Sequence, residues 1–269
     1  MNKLDGVETV LAVNTETLID QITKNTQLGL TNLVDAPFFR ESKQIALVGG
    51  GPSLSKYLDE LREFKGPIVA CGSVHDFLVE NDINMDYCIV CDPDPIVIDY
   101  MKKKNYTTRY LVASQCHPDV FEHLKFSNTH IWHAGGDNLD ILKAFTGGSD
   151  VIGGGCTVGS RAIIISMCLG YNDISLFGFD SSLSKDFKHH SYEFQTNQET
   201  IGNITEIRLN SPDDAEVFHC AGYHVAQLFD IKKILELYAS RVRFRIRCDG
   251  ALSHLFKLGI EISAQKKET

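Results

Sequence analysis

The sequence predicts an α/β protein of the Rossmann-like type, with a mostly parallel sheet and helices on both faces. From residue 44 onward, short apolar runs alternate with helical segments. This alternation predicts parallel strands joined by right-handed crossover helices. Two of the strand-to-helix junctions are rich in glycine, which is typical of nucleotide-binding α/β domains. The 269 residues, of which 43% are hydrophobic, suffice for one large domain with its own core.

Residues 1–43 precede the alternation and are expected to form a helical lead-in and a connector. Leu18 and Ile22 lie four residues apart, on one face of a predicted helix. Thr15 is the expected N-cap of this helix. Residues 44–269 are then expected to form a single nucleotide-binding domain.

The elements of this domain follow in order along the chain. The first half contains predicted strands at 44–48, 67–71, 86–91, 109–113 and 129–132, with helices at 53–64, 73–80, 95–104 and 118–125 between them. The second half contains a helix at 157–169, a strand at 174–177, an exposed strand at 200–209, an amphipathic helix at 223–238, a strand at 244–248 and a short helix at 252–258. A polar stretch at about 181–199 predicts a loop or lid.

Charge and hydropathy exclude two classes of partner. The net charge of −9 argues against sequence-independent binding to nucleic acid, which needs a dense positive surface. No apolar run approaches the roughly 18 residues of a transmembrane helix. The basic run Arg241–Arg247 alternates with apolar residues and predicts a strand with one solvated face; the alternative is a local anion-binding patch. The helix at 223–238 could serve the core or a homo-oligomer contact.

The eight cysteines show no disulfide framework, and the first fourteen residues do not resemble a secretory signal. We therefore expect reduced thiols and a cytoplasmic location. Cys88 and Cys91 form a CxxC pair inside an apolar run. Residues three apart on a strand point to opposite faces, so we do not expect zinc at this pair.

The first candidate site is the glycine-rich turn formed by Gly49, Gly50, Gly51, Pro52 and Ser53. Glycines let a backbone approach a phosphate closely and adopt positive φ. Proline suits a first helical turn, where exposed N–H groups favour an anion and a serine hydroxyl adds a donor. The turn lacks the Gly-Lys-Ser/Thr of a P-loop and the third glycine of the dinucleotide motif. The alternative is a tight turn with no ligand.

The second candidate site is a similar turn formed by Gly154, Gly155, Cys156 and Thr157, which also opens a helix. Two such turns in one sheet could hold a diphosphate, or a phosphate and a sugar carboxylate. The alternative is that these glycines permit close packing of the helix.

The third candidate site is the carboxylate pair Asp92 and Asp94, which follows a predicted strand. Ligands of open α/β sheets lie beyond the carboxyl ends of the strands. The pair could share a divalent cation that bridges phosphates, or could bind ribose hydroxyls. The alternative is that Asp92 caps the following helix.

The fourth candidate site combines Asp180, at the end of another strand, with His189, His190 and Tyr192 in the polar stretch that follows. A histidine there could act as a general base near neutral pH. The alternative is a pair of histidines that face solvent.

Two blocks of sequence resemble known families. The segment Ala46–Leu54, Ala-Leu-Val-Gly-Gly-Gly-Pro-Ser-Leu, resembles the nucleotide-binding turn of bacterial CMP-sialic-acid sialyltransferases. It also resembles that of the motility-associated flagellin glycosyltransferase-like family, which contains an archaeal 6-hydroxymethylpterin diphosphokinase. The second block combines Gly154–Ala162 with the segment from Leu169 to Asp180, which ends Leu-Phe-Gly-Phe-Asp. The two blocks frame a little over half of the chain.

The resemblance implies a nucleotide above the Gly49–Ser53 turn, with Gly155, Cys156 and Thr157 beside it. It also implies a histidine base beyond the strand that ends at Asp180, and tyrosines that steady the departing phosphate. His189 or His190, and Tyr192, occupy a comparable stretch. The sialyltransferases need no metal, so Asp92 and Asp94 fit the diphosphokinase better.

The sequence therefore predicts a nucleotide-dependent transferase that acts on a small-molecule nucleotide donor and an unidentified acceptor. A glycosyltransferase with a nucleotide-sugar donor, such as a CMP-sugar, is favoured. The first alternative is transfer of diphosphate from ATP to a hydroxymethylpterin-like alcohol, with magnesium held by Asp92 and Asp94. The second is a nucleotide-binding module without catalysis.

Overall fold

The computed structural model describes residues 13–36, 43–135, 151–192, 204–210 and 215–257. Eight strands form its main sheet: β1 (Gln44–Val48), β2 (Ile68–Cys71), β3 (Tyr87–Val90), β4 (Arg109–Ala113), β5 (Asn128–Ala134), β6 (Val151–Ile152), β7 (Asp173–Phe177) and β10 (Arg243–Arg247). Their order is β10-β7-β1-β2-β3-β4-β5-β6, and every strand pair in this sheet is parallel.

The central strands are buried on both faces. In β1, Ile45, Ala46, Leu47 and Val48 are each 0% exposed. Because successive strand residues point to opposite faces, both sides of the sheet must be covered. The predicted Rossmann-like α/β class is confirmed.

Within the described ranges, the sheet is accompanied by α1 (Thr15–Thr26), α2 (Leu58–Arg62), α3 (His75–Glu80), α4 (Pro118–His123), α5 (Val158–Cys168) and α6 (Gly222–Tyr238). Residues 251–257 are also helical. The buried residues of α6 include Val225, Leu228, Ile231 and Leu235, whose spacing of three or four places them on one face. This face packs into the domain, so the helix serves the core, one of the two roles that the sequence left open.

Two helices are shorter than predicted. The predicted helix 53–64 is a 3₁₀ turn at Leu54–Tyr57, with hydrogen bonds to the third preceding residue, followed by the short α2. The predicted helix 95–104 is a 3₁₀ turn at Pro95–Tyr100. Neither 3₁₀ turn is long enough to build the aligned peptide dipoles of an α-helix.

The structure corrects three further expectations. Asn14 caps α1 by accepting the N–H of Thr17, so Thr15 is not the N-cap. The glycine-rich stretch before α5 contains the short strand β6, which was not predicted. The exposed strand, described as β8 (Ile204–Asn210), forms an antiparallel hairpin with the unpredicted β9 (Ala215–Ala221).

The lead-in helix packs onto the domain. The buried Asn25 donates from Nδ2 to the carbonyls of Ser114 (2.9 Å) and Cys116 (2.7 Å), just beyond the end of β4.

The edge strand β10 is held by ion pairs as well as by the sheet, because Arg245 pairs with Asp173 and Arg247 with Glu60.

Two expectations about the whole chain can be compared with the structure. All eight cysteines are free thiols. In the ranges that the structure describes, no helix combines the length and apolar character needed to cross a bilayer.

The strand order reverses between β1 and β7. From β1 the chain adds β2 to β6 on one side, and it then returns to place β7 and β10 on the other side. At such a switch point the chain leaves the two neighbouring strands in opposite directions, and the crevice beyond their carboxyl ends is where open α/β sheets bind ligands.

Candidate functional site

A cavity of about 170 Å³ lies at this switch point. The turn after β1 and the residues after β7 form one wall, the first turn of α5 a second, and the start of α6 a third. Pockets for drug-sized ligands measure roughly 300–1,000 Å³, so this cavity has room for part of a nucleotide sugar.

Gly49, Gly50 and Gly51 line the cavity, as predicted, but for a different structural reason. Positive φ was expected in this turn, and none of the three has it. They are needed because other groups come close. A Cβ on Gly49 would lie 2.9 Å from the carbonyl oxygen of Gly178, and one on Gly51 would overlap the Asp180 carboxylate.

Ser53 bonds to the protein itself. Its hydroxyl donates to Asp180 Oδ2 at 3.0 Å, and its Oγ accepts the N–H of Asp249 at 3.2 Å. Asp180 is 5% exposed and lines the cavity, and burial raises the pKa of its carboxyl. Pro52 and Ser53 do not line the cavity in the described part of the chain.

The second glycine-rich turn binds an anion, and that anion belongs to the protein. The N–H of Cys156 donates to Asp230 Oδ2 on α6 at 2.8 Å. A Cβ on Gly155 would overlap the same carboxylate, and Gly154 packs against Ile164 of α5. Both glycines have positive φ. Of the four residues predicted in this turn, only Thr157 lines the described cavity.

The N-terminus of α5 faces the cavity. Thr157 caps the helix by accepting the N–H of Ser160 at 3.2 Å. Val158 and Gly159, the next residues, line the cavity, and first-turn N–H groups have no acceptor within their own helix. Gln227 of α6 donates to Thr157 Oγ1 at 3.1 Å. This wall favours an anionic group.

The structure places His190 in the cavity wall and determines its neutral tautomer. Nδ1 lies 3.0 Å from the carbonyl oxygen of Gly50. A carbonyl only accepts, so Nδ1 carries the proton and Nε2 carries the lone pair. Burial lowers the pKa of His190 to about 4, so the ring is neutral at physiological pH.

His189 also lines the cavity, with its ring 3.9 Å from that of His190. Its Nε2 lies 2.8 Å from the hydroxyl of Tyr223. Burial, His190 and His224 together lower the pKa of His189 to about 2. Its buried Nδ1 has no hydrogen-bond partner in the described part of the chain, an arrangement uncommon outside functional sites.

His224, at the start of α6, is a third histidine in the cavity wall. Its Nδ1 accepts the N–H of Ala221 at 3.2 Å, so its neutral form carries the proton on Nε2. Burial and His190 lower its pKa to about 3. His190 and His224 are therefore fixed in opposite tautomers.

Tyr192 lies behind His190 and does not line the described cavity. Its ring stacks on His190 at 4.9 Å, with 10° between the planes, and its hydroxyl donates to Ser73 at 3.0 Å. Burial raises the pKa of Tyr192.

Asp92 and Asp94 lie beyond β3, two strands from the switch point, and neither lines the described cavity. Asp92 accepts the N–H of Asp94, and Asp94 accepts the N–H of Ile96 as cap of the 3₁₀ turn. No group of three potential ligands that could hold a metal occurs among the described residues.

The prediction missed Tyr223, His224 and Gln227 at the start of α6. The sequence does hold a signal for them. His224 and Gln227 are polar residues three apart near the start of an amphipathic helix, which places both on one face. Two further residues line the cavity from β2, the neighbour of β1. Cys71 is the last residue of this strand, and Ser73 lies just beyond it.

Comparison with known proteins agrees with this architecture. The structure is similar to that of the MAf glycosyltransferase from Magnetospirillum magneticum, with a TM-score of 0.66 at 12% identity. The match covers 90% of this chain and 38% of that one, so this chain spans well under half of its length.

A mammalian sialyltransferase matches with a TM-score of 0.48 at 12% identity, over 89% of this chain and 87% of the other. A monofunctional alpha-2,3-sialyltransferase from Campylobacter jejuni matches with a TM-score of 0.37 at 14% identity, over 81% of each chain. No curated protein sequence matches this chain.

The family model described as 6-hydroxymethylpterin diphosphokinase MptE-like matches residues 16–186. This range holds both sequence blocks that carry the resemblance, and it includes every strand from β1 to β7. The chain therefore belongs to the 6-hydroxymethylpterin diphosphokinase MptE-like family.

Proposed function

We propose that the chain is a nucleotide-dependent transferase that moves a sugar from a nucleotide-sugar donor to an acceptor hydroxyl. One observation carries the proposal. The cavity at the β1/β7 switch point combines the N-terminus of α5 with the fixed tautomers of His190 and His224.

The charge of the cavity favours a donor with a single phosphate. No lysine or arginine occurs among the described residues that line it, and Asp180 is its one acidic residue. Neutral donors at α5, including the N–H groups of Val158 and Gly159, suit one phosphodiester charge. A diphosphate would bring more negative charge than this wall compensates. A CMP-sugar is therefore the favoured donor.

His190 is the proposed general base. Its Nε2 lone pair takes the proton of the acceptor hydroxyl as the oxygen attacks the anomeric carbon. The bond from that carbon to the phosphate oxygen breaks, and the nucleoside monophosphate leaves. The Nε2–H of His224 and the α5 N–H groups stabilise the charge that builds on the phosphate.

Replacement of His190 tests this role. In His190→Ala, we expect turnover to fall by about 10²–10⁴-fold, measured as release of CMP from a CMP-sugar. The dissociation constant for the nucleotide should change little. His117→Asn, a histidine outside the cavity whose capping role asparagine can fill, is the control.

Collapse of nucleotide binding in His190→Ala would contradict the assignment. So would full turnover in that variant. If His224→Ala loses turnover while His190→Ala keeps it, the two histidines have exchanged roles. Binding without turnover by any donor would favour a module without catalysis.

The family match supports a second candidate, diphosphate transfer from ATP to a hydroxymethylpterin-like alcohol. This reaction would need magnesium between phosphates. The residues predicted to hold it do not fit, because Asp92 and Asp94 serve as local caps outside the cavity. An assay with ATP and 6-hydroxymethylpterin decides: activity that EDTA abolishes would favour this candidate.

A further inference from the structure

The loop that carries the histidines is fastened to the first glycine-rich turn. Ser191 donates its N–H to the carbonyl of Gly50 at 3.1 Å. Its hydroxyl lies 2.8 Å from the carbonyl oxygen of Gly51 and 2.9 Å from that of Pro52, and it accepts the N–H of Ser55 at 3.2 Å. One serine thus ties the loop to three residues of the turn and to Ser55.

The space above Gly50 is filled by two rings. A Cβ on Gly50 would lie 2.5 Å from Tyr192 Oη and 2.7 Å from His190 Nδ1. The carbonyl of Gly50 also accepts the Nδ1–H of His190. Gly50 therefore supplies both the room for the imidazole and the acceptor that fixes its tautomer.

Stacking holds the imidazole from the sides. Tyr192 lies parallel to His190, and Phe77 stacks on Tyr192 at 4.9 Å with 28° between the planes. His189 contacts His190 at 3.9 Å. The ring of His190 cannot flip without displacing these neighbours.

Four N–H groups in and next to the turn are already used. Gly49 donates to Phe177 at 2.8 Å, Gly51 to Gly178 at 2.9 Å, and Leu54 to Gly51 at 3.0 Å. The N–H of Ser53 lies 3.4 Å from the Asp180 carboxylate. A phosphate cradle needs such groups to point at the ligand, and these four bind the protein.

We propose that the Gly49–Ser53 turn positions His190 instead of cradling the donor phosphate. Gly50 and Ser191 are the positioning residues. They hold the proton on Nδ1, which leaves the lone pair of the neutral ring on Nε2. The role of that lone pair as a base rests on the proposed function, whereas the position of the His190 ring and its tautomer do not.

The tautomer is tested without any substrate. In protein labelled with ¹⁵N-histidine, the imidazole signals of His190 should show a protonated Nδ1 and an unprotonated Nε2 at pH 7. The signals are assigned by their loss in His190→Gln. In Gly50→Ala this pattern should be lost, because the added Cβ displaces the ring.

Gly153→Ala is the matched control, because a Cβ there meets no atom of the described residues within 4 Å and its φ is not positive. It should leave the His190 signals unchanged. A proton on Nε2 in the unmodified protein, or an unchanged pattern in a folded Gly50→Ala, would overturn the proposal.

Kinetics then test the positioning role with Ser191→Ala, which removes one hydroxyl and leaves the backbone of the turn intact. We expect kcat to fall by about tenfold or more, with the dissociation constant for CMP unchanged, since misplaced catalytic groups cost turnover. Ser191→Thr keeps the hydroxyl and should restore most of kcat.

A loss of CMP affinity with unchanged kcat in Ser191→Ala would mean that the turn binds phosphate, and would overturn the proposal. If the unmodified protein turns over no CMP-sugar, the proposed function fails. The tautomer experiment still decides whether the Gly49–Ser53 turn positions His190.

Discussion

Asp180 packs against the first glycine-rich turn. It is 5% exposed, accepts the hydroxyl of Ser53, and occupies the space that a side chain on Gly51 would need. The carbonyl of Gly178 closes the same space from the other side, 2.5 Å from that Cβ position. The turn therefore has no room for a methyl group at residue 51.

Gly51→Ala should lower the free energy of unfolding by about 1–3 kcal/mol, the usual cost of overpacking a closed site. Urea denaturation measures this change. Gly153→Ala, with open space around the new methyl group, should not destabilise the protein. Equal stabilities for the two variants would contradict the packing described for Asp180.

The three cavity histidines make stability depend on pH. Burial lowers the pKa of His190 to about 4. Burial and repulsion from neighbouring histidines lower the pKa of His189 to about 2 and that of His224 to about 3. The unfolded chain takes up these protons near pH 6.5. Stability should be full above pH 6.5 and should fall as the pH drops from 6.5 toward 4, because the unfolded state then binds more protons.

His189→Gln isolates one of these protons. Between pH 6 and pH 5, the free energy of unfolding should fall more steeply in the unmodified protein than in His189→Gln. Each buried neutral histidine adds about 1.4 kcal/mol per pH unit to this slope. Urea denaturation at each pH supplies the slopes. Identical slopes for the variant and the unmodified protein would show that His189 titrates normally when folded.

At the scale of elements, α6 is joined to the start of α5 through Asp230. Its carboxylate accepts the N–H of Cys156 and fills the turn before α5. Burial, followed by this carboxylate, raises the pKa of the Cys156 thiol to about 12. Cys156 and Cys168 are the two exposed cysteines, and the other six are buried.

Asp230→Asn should increase alkylation of Cys156 by iodoacetamide severalfold at pH 8. Asparagine still accepts the N–H, and the lost charge lets the thiol ionise more readily. Mass spectrometry of the native protein follows the rate at each cysteine. Cys168 is the internal control and should react unchanged. An unchanged alkylation rate at Cys156 would show that Asp230 does not raise the pKa of this thiol.

The elements that the sequence predicted correctly are those that periodicity describes. The buried strands of the main sheet are continuous apolar runs, and α5 and α6 are long enough to show a pattern. The two-residue β6 is too short for any pattern. The 3₁₀ turn at Pro95–Tyr100 resembles one helical turn in sequence, and only its hydrogen bonds distinguish it.

The partners of the glycine-rich turns could not be predicted in the same way. In both turns, a carboxylate of the protein itself accepts hydrogen bonds. However, Asp180 is 127 residues from Ser53, and Asp230 is 74 residues from Cys156. No local pattern encodes which distant carboxylate will reach a turn, so an intramolecular anion and a ligand phosphate look alike in sequence.

At the scale of the whole molecule, strand order determines which predicted residues meet. The turn after β1 and Asp180 after β7 converge because their strands are neighbours at the switch point. Asp92 and Asp94 follow β3 and lie outside the cavity. His189 and His190 line the cavity, and α6 supplies partners that the sequence assigned to a core or dimer contact.

The lead-in helix should contribute to the stability of the whole domain. Asn25→Ala removes two hydrogen bonds from buried carbonyls and should cost about 2–3 kcal/mol. Urea denaturation measures the cost. Glu16→Ala, on the exposed side of α1, should change stability by less than about 0.5 kcal/mol. If Asn25→Ala lowered the free energy of unfolding as little as Glu16→Ala does, the two hydrogen bonds of Asn25 would not stabilise the domain.

The most direct test is a thermal-shift panel with CMP, CDP, UDP, GDP, AMP and ATP, each in Mg²⁺ and in EDTA. A ligand at a hundred times its dissociation constant should add about 2.7 kcal/mol of stability. We expect CMP to stabilise the protein equally in both conditions, and Gln227→Ala to weaken the shift. No response to any nucleotide, or a response to ATP alone that requires Mg²⁺, would contradict a metal-independent nucleotide-sugar site in the β1/β7 cavity.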